Sequence, residues 1–439
     1  MKSTEQHIDV MVVDMQGNLR GKWIPINQQS KVLDGQVRLP VSTQVQDIWG
    51  DDNDSLTGMG PDSGDPDGLC VPVNAQLNET PWNPGSQQIL CSMQNMAGES
   101  MFCDPRSILA NVLEKFTARG LTPMVAVELE FYLLDAPSVV AGVPAPPPHI
   151  NIAGQIKPYQ VYDMRVMDRI EPTLKHIHDY AKALNIPADA SLSEIGPGQF
   201  EINLMHRDNA LQAADEAVLF KRVVDRAAIA TGMACTFMAK PYTEHTGNGL
   251  HVHVSLLDEQ GNNVFDQANN DNNLLWAANG LLETMKDAQA LLAPHGNSYK
   301  RLQPDSYAPV QMNWGHDHRG VAVRLPETHG KAARLEHRVA GADANPYLAL
   351  AAILSGILLG LDKGTKPTLP ALKPGDTSSA EFLHHDWLNA VNQFSESAFI
   401  KQSIGDHYQR VFANIKRFEA ITINKTVDQL DWLTYLPRL

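Results

Sequence analysis

The run Val125-Ala126-Val127-Glu128-Leu129-Glu130-Phe131-Tyr132 constrains this chain more than any other stretch. Its β-branched and aromatic residues specify a strand, on which side chains two positions apart share a face at about 7 Å spacing. Glu128 and Glu130 therefore stand side by side, while Val127, Leu129 and Phe131 turn to the opposite face. Two like charges on an otherwise apolar strand repel, so their face is either solvated or holds a cation between them. One Glu-x-Glu pair leaves both readings open, and the other polar blocks narrow them.

Ser193-Glu194-Ile195-Gly196-Pro197-Gly198-Gln199-Phe200-Glu201 sets two more glutamates on either side of a Gly-Pro-Gly turn that returns both to a common site. Gly249-Leu250-His251-Val252-His253-Val254-Ser255 puts His251 and His253 on one face of a strand, and Arg334-Leu335-Glu336-His337-Arg338 does the same for Arg334, Glu336 and Arg338. Taken singly, a strand histidine is a hydrogen-bonded, half-buried residue and a glutamate between arginines is an ion pair. Taken together, Glu128, Glu130, Glu194, Glu201, Glu336 and His251 form an oxygen-rich set that suits the hard cations Mg²⁺ or Mn²⁺ rather than a thiolate or tris-imidazole zinc site. The neighbouring arginines point to phosphate. Neither a GxxxxGK loop nor a GxGxxG loop after a strand occurs, so a nucleotide must be held by metal and arginine instead.

The rest of the chain reads as that of a soluble, cytoplasmic protein. A net charge of -15 argues against nucleic acid or an anionic membrane as partner. Cys70, Cys91, Cys103 and Cys235 show no CxxC pairing and read as reduced thiols. The N-terminus has no apolar core followed by a cleavage site, and the apolar run 347–361 is short for a bilayer span and reads as a buried helix.

Short strands at 8–13 and 20–26 joined by a hairpin turn, then a loop-rich acidic stretch at 46–68, make the first hundred residues a small sheet-rich domain. Asp104-Pro105 marks the boundary as an N-cap and first helical residue, opening a helix to Arg119. Beyond it, the Pro-rich stretch 137–148 reads as loop and 160–184 as helix. Strands follow near 190–194, 199–205, 233–238, 249–257, 307–314, 319–325 and 332–338, with helices at 209–231, 272–292, 346–361 and through the tail from 380. The expected architecture is α+β, with a mostly antiparallel sheet in the larger domain.

The blocks Val127 to Phe131, Glu194 to Glu201, Gly247 to Ser255, Asn297-Ser298-Tyr299-Lys300-Arg301, and Arg334 to Arg338 through Ala344-Asn345-Pro346-Tyr347 resemble the glutamine synthetase family in kind and in order. The resemblance implies a β-grasp domain over 1–103 and a catalytic domain over 104–439. It implies one metal on Glu130, Glu194 and Glu201 and another on Glu128, His251 and Glu336. Arg301, with Gly247 nearby, would bind glutamate; Arg319, Arg324 and Arg338 would handle the ATP phosphates and the moving phosphoryl group, and His253 would sit at phosphate and substrate. It further implies L-glutamate, an amine and ATP as substrates, and a homo-dodecamer of two hexameric rings in which a neighbour's N-terminal domain completes each site.

Departures from the family pattern concern the amine. Ammonia-using members carry a flap glutamate where Tyr307 stands, two residues before Pro309, and a Phe-Asp-Gly-Ser-Ser motif where this chain has Leu39-Pro40-Val41-Ser42-Thr43. Losing two carboxylates weakens the attraction for a small ammonium ion and leaves room for a larger amine beside an aromatic ring. The pattern resembles the γ-glutamylputrescine synthetase branch, with Asp47 and Trp49 as candidate amine contacts. An ammonia-using enzyme and a non-catalytic scaffold are the alternatives. The tyrosine adenylylated in bacterial ammonia-assimilating members has no counterpart near 360–380.

Overall fold

A computed structural model describes residues 6–150, 161–268, 272–304 and 306–436. The first strands, β1 (His7–Val13) and β2 (Leu19–Pro25), pair antiparallel with His7 opposite Pro25, as the hairpin turn requires. They join β3 (Val37–Pro40), β4 (Asp67–Pro72), β5 (Asn78–Glu79) and β6 (Gln87–Gln94) in a six-stranded sheet of order β2-β1-β6-β4-β3, with β5 beside β6. The sheet is mixed, because β1 runs parallel to β6. The acidic stretch that follows β3 contains a short α-helix, Asp54–Thr57, and a 3-10 turn, Pro61–Ser63.

Asp104 caps the helix Pro105–Thr117, its carboxylate accepting from the Ser107 amide at 3.1 Å. The chain then enters β7 (Thr122–Asp135), the centre of a second sheet with β8 (Ala188–Ser193), β9 (Gln199–Arg207), β10 (Met233–Thr236), β11 (Leu250–Leu257), β12 (Trp314–His316), β13 (Val323–Glu327) and β14 (Arg334–His337). Its order is β12-β13-β14-β11-β7-β9-β8, with β10 paired to the far end of β7. Every pair is antiparallel except β12 with β13. Burial alternates along β7 as far as Phe131: Val125, Val127, Leu129 and Phe131 are buried, against the helices Pro105–Thr117 and Ala210–Ala230, while Glu128 and Glu130 face the other way and are only half-buried.

The apolar helix is Pro346–Lys363. Asn345 caps it through the Tyr347 amide at 3.0 Å, Pro346 occupies the first turn where no amide proton is needed, and Gly364 ends it at φ +61. Among the described residues it alone is long and apolar enough to cross a membrane, yet it is mostly buried and packs along the helix Asn273–Leu292.

Four expectations need correction. The Pro-rich stretch holds a helical turn, Ala136–Val140, because Asp135 caps it through Ser138 and Pro137 sits where proline is tolerated. The helix expected from Gln160 is two helices, Met164–Arg169 and Glu171–Ala183, broken at Ile170; Gln160 itself lies outside the described residues. The strand expected at 307–314 is irregular apart from its last residue, with a single bridge between Gln311 and Phe382. The strand placed at 319–325 begins at Val323, after Asp317 at φ +42 and a turn through Gly320.

Candidate active site

Strand register assembles the polar face. His251 lies opposite Glu128 across β11 and β7, and Glu130 lies opposite Glu201 across β7 and β9. On the other flank His253 pairs with Glu336 and Glu336 with Arg324. Residues separated by more than two hundred positions thus meet through neighbouring strands. One ligand atom each from Glu128, His251 and Glu336 lie within 4.8 Å of one another, and the same is true of Glu130, Glu201 and His251.

These carboxylates are under electrostatic tension. Burial, reinforced by the charges of Glu128, Glu130 and Glu194, holds the Glu201 carboxyl well above the usual carboxylate range. Burial and the Glu130 charge push Glu194 up to about 7. Glu128 goes the other way: burial opposes its charge, but His251 Nδ1 at 3.2 Å and His253 Nε2 at 2.9 Å hold it well below the ordinary value. Burial likewise opposes the charge of Glu336, and Arg338 and the two histidines overcome it. A group of hard oxygen donors, two of them (Glu194 and Glu201) resisting ionisation and two (Glu128 and Glu336) held charged by histidine and arginine, with one imidazole between two clusters, fits divalent cations.

A cavity of about 1120 Å³ opens onto this face, and its wall includes Glu128, Glu130, Glu194, Glu201, His251, Gly247, Arg301, Tyr307, Arg319 and Arg338. Arg301 is buried and donates from Nη1 to the Val339 carbonyl at 2.7 Å. Arg319 is exposed in the wall and forms no ion pair among the described residues. Arg324 and Arg338 both hold Glu336, Arg324 at 2.8 Å, yet the Nε of each is buried without a partner among the described residues. Buried guanidinium N–H groups left unmatched are donors suited to phosphate oxygens. Tyr307, 74% exposed, stands at the cavity rim.

Some sequence-derived candidates fall elsewhere. Glu194 is in the cavity wall, but His251 rather than Glu194 completes the tight group with Glu130 and Glu201. His253 lies behind Glu128 and receives Arg334 Nε at 3.4 Å, outside the cavity wall. Asp47 and Trp49 are not in the wall of this chain's cavity. Asp47 is buried and braces its own loop, accepting from the amides of Trp49 and Asp51 at 3.0 Å and from Asn53 Nδ2 at 2.6 Å. Trp49 is half exposed and meets Phe418 edge-on.

Other residues gain importance only in three dimensions. Asn203, two positions beyond Glu201 and so on its face, donates to Glu128 at 3.3 Å. Gly249 lies beneath the site: a Cβ there would stand 2.9 Å from Arg301 Nη2, 2.9 Å from His251 Nε2 and 3.4 Å from Glu130 Oε1. Replacing Gly249 by alanine is expected to displace the arginine and imidazole together. We expect at least a tenfold fall in kcat/KM for glutamate, with a melting temperature close to that of the parent; parental steady-state kinetics would show that the site absorbs the methyl group.

Comparisons with known proteins follow the same lines. Residues 102–435 match the family described as glutamine synthetase, catalytic domain. The chain is 37% identical over 435 residues to gamma-glutamylputrescine synthetase PuuA of Escherichia coli strain K12, covering 98% of this chain and 91% of that one. It is 33% identical over 439 residues to a glutamate–isopropylamine ligase of a Pseudomonas species, covering 97% and 93%. The solved structure titled "Apo GmaS without ligand" superposes with a TM-score of 0.85 at 26% identity, covering 99% of this chain and 97% of that one.

Proposed function

This chain belongs to the glutamine synthetase family, and from that premise we propose that it is an ATP-dependent ligase joining the γ-carboxylate of L-glutamate to an organic amine. The observation that carries the reading is the 1120 Å³ cavity in which hard carboxylate and imidazole donors face Arg301, Arg319 and Arg338. A carboxylate is a poor electrophile. An oxygen of the glutamate γ-carboxylate attacks the γ-phosphorus of ATP and ADP leaves; the amine nitrogen then attacks the acyl carbon of γ-glutamyl phosphate, phosphate departs with that oxygen, and the amine loses a proton.

In this reading Glu128, His251 and Glu336 hold one divalent cation, and Glu130 and Glu201, with Glu194 or His251, hold another. The cations supply charge neutralisation for the phosphates. The side chains do the rest. Arg301, with Gly247 against its side chain, binds glutamate; Arg324 and Arg338 offer their unmatched Nε protons to phosphate oxygens; Arg319 meets the transferring phosphoryl group.

Support for an organic amine comes from the relatives named for putrescine and isopropylamine ligation and from Tyr307 at the rim. Putrescine or another polyamine is the preferred acceptor. Trp49 enters as a contact contributed to a neighbouring copy's cavity, with Asp47 as the brace of its loop. The reading includes a β-grasp domain over 1–103, a catalytic domain over 104–439, a cytoplasmic setting and a double-ring dodecamer. The last is supported by the exposed apolar residues Leu430, Trp432, Leu433 and Leu436 around the helix Gln429–Tyr435.

The test is phosphate release from ATP with L-glutamate and Mg²⁺, comparing putrescine, spermidine, ethanolamine, isopropylamine and ammonium at equal free base. Stimulation by an organic amine well above ammonium is expected. Ammonium as the best acceptor would make the protein a divergent glutamine synthetase, and silence with every amine would favour a scaffold. Replacing Tyr307 by glutamate adds a carboxylate at the rim, and we expect the ratio of ammonium to organic-amine kcat/KM to rise roughly five- to tenfold, as one partly solvated charged contact allows. An unchanged ratio would remove Tyr307 from the amine site.

A further inference from the structure

One buried side chain links the metal-binding face to the glutamate-binding wall. Gln199, the first residue of β9, has no solvent exposure. Its Nε2 lies 3.3 Å from Glu130 Oε2, 3.0 Å from the Gly247 carbonyl and 3.1 Å from Asn248 Oδ1. Its Oε1 accepts from the Gly196 amide at 3.2 Å and from the Thr246 hydroxyl. Its backbone closes the turn that carries Glu194, the Glu194 amide donating to its carbonyl at 2.9 Å.

The two ends of this amide do different work. The acceptor end is fixed by Gly196 and Thr246, so the amide plane is set and the Nε2 protons are aimed. The donor end then holds Glu130 and the 247–248 turn in one register. Asn248 reinforces the turn by donating to the Met238 carbonyl at 2.9 Å, and the Gly249 amide donates to Glu130 Oε2 at 2.8 Å. Tyr132 adds a parallel tie, its hydroxyl donating to the Thr246 carbonyl at 2.7 Å. Four separate segments, around 130, 194–199, 246–249 and 238, therefore take their relative position from a hub centred on Gln199. No other described side chain bonds both to a carboxylate of the Glu130 group and to the Gly247 carbonyl.

We propose that Gln199 is a positioning residue, setting the carboxylate of Glu130 and the carbonyl of Gly247 so that a divalent cation and the glutamate substrate bind in mutual register. The proposal rests on the ligase reading for the identity of those two ligands. It assigns Gln199 no contact with substrate.

Gln199→Met keeps the length of the side chain and removes the donors and the acceptor. With the folded variant, KM for glutamate is expected to rise at least tenfold, Mn²⁺ measured by electron paramagnetic resonance without ATP or amine is expected to bind at least fivefold more weakly, and KM for ATP stays within twofold. Thr246→Val exchanges the hydroxyl that orients the amide for a methyl group and leaves Gln199 itself in place, and the same pattern is expected at about a third of the size. A residue that merely fills the core would lower the melting temperature and leave Mn²⁺ affinity and the glutamate-to-ATP KM pattern in place. Parental Mn²⁺ affinity and glutamate KM in folded Gln199→Met overturn the proposal; if that variant does not fold, the same result in Thr246→Val overturns it. Failure of the ligase reading is distinct, because it shows as a parent enzyme that no amine stimulates.

Discussion

Replacing Glu336 by alanine is expected to abolish turnover, with a fall in kcat of at least about a thousandfold, equivalent to ~4 kcal/mol of transition-state stabilisation. Glu336 is 1% exposed, and its two oxygens serve three partners. Arg324 donates to one oxygen at 2.8 Å, Arg338 donates to the other, and His251 Nδ1 lies 3.9 Å away. Truncation removes a candidate metal ligand and leaves two guanidinium groups without the charge between them. Breaking such a buried pair also destabilises, by roughly 3–5 kcal/mol where the surviving charges stay buried. The melting temperature must therefore be measured alongside phosphate release. Glu336→Gln separates the two effects: it keeps the volume and one acceptor oxygen, so it folds more readily, yet it lacks the negative charge and is expected to be similarly inactive. Full activity in either folded variant would remove Glu336 from the metal site.

Arg319 makes the opposite case, a residue whose loss touches chemistry without touching stability. It stands exposed in the cavity wall with no ion pair among the described residues, so no close charge pair of the fold is broken when it is removed. If it meets the transferring phosphoryl group, Arg319→Ala removes an interaction made mainly in the transition state, and kcat is expected to fall roughly 10²- to 10³-fold. KM for the amine should stay within about twofold and the melting temperature should not move. Initial rates measured against amine, ATP and glutamate in turn check this. A variant with parental kcat and a raised KM for amine would place Arg319 at the acceptor instead.

The candidate site was legible where a two-residue period carries the information. Glu128 with Glu130, His251 with His253, and Glu336 with its flanking arginines are intervals on single strands, and each pair emerges on one face in the structure. The capped helices at Asp104 and Asn345 were legible for a similar reason, since their signals are local. Relations between strands were not. Whether His251 or Glu194 stands nearest to Glu130 and Glu201 depends on register, and register is a property of pairs of strands. Gln199 and Gly249 escaped for another reason. An amide in a Gly-Pro-Gly-Gln turn and a glycine at a strand entrance are ordinary residues until a Glu130 carboxylate lies 3.3 Å from the one and an Arg301 guanidinium leaves no room for a Cβ on the other.

Asp47 shows the limit from the other side. An aspartate in an acidic loop beside a tryptophan has the composition of an ammonium site, but it has equally the composition of a turn that closes on its own amides. In this chain the turn takes the carboxylate, with three donors from residues 49–53. The irregular course of 307–314 has a comparable origin. Its apolar residues suggest a strand, but the segment finds only one bridging partner, near Phe382, and its ladder begins at Trp314.

The central claim is that the γ-carboxylate of glutamate is activated by phosphorylation before an amine takes its place. The most direct measurement is the fate of ¹⁸O in the γ-carboxylate during turnover with ATP, Mg²⁺ and the best amine of the panel. One ¹⁸O atom is expected in each phosphate released, because the oxygen that attacked phosphorus leaves with it. Amine-dependent phosphate free of ¹⁸O would contradict the account.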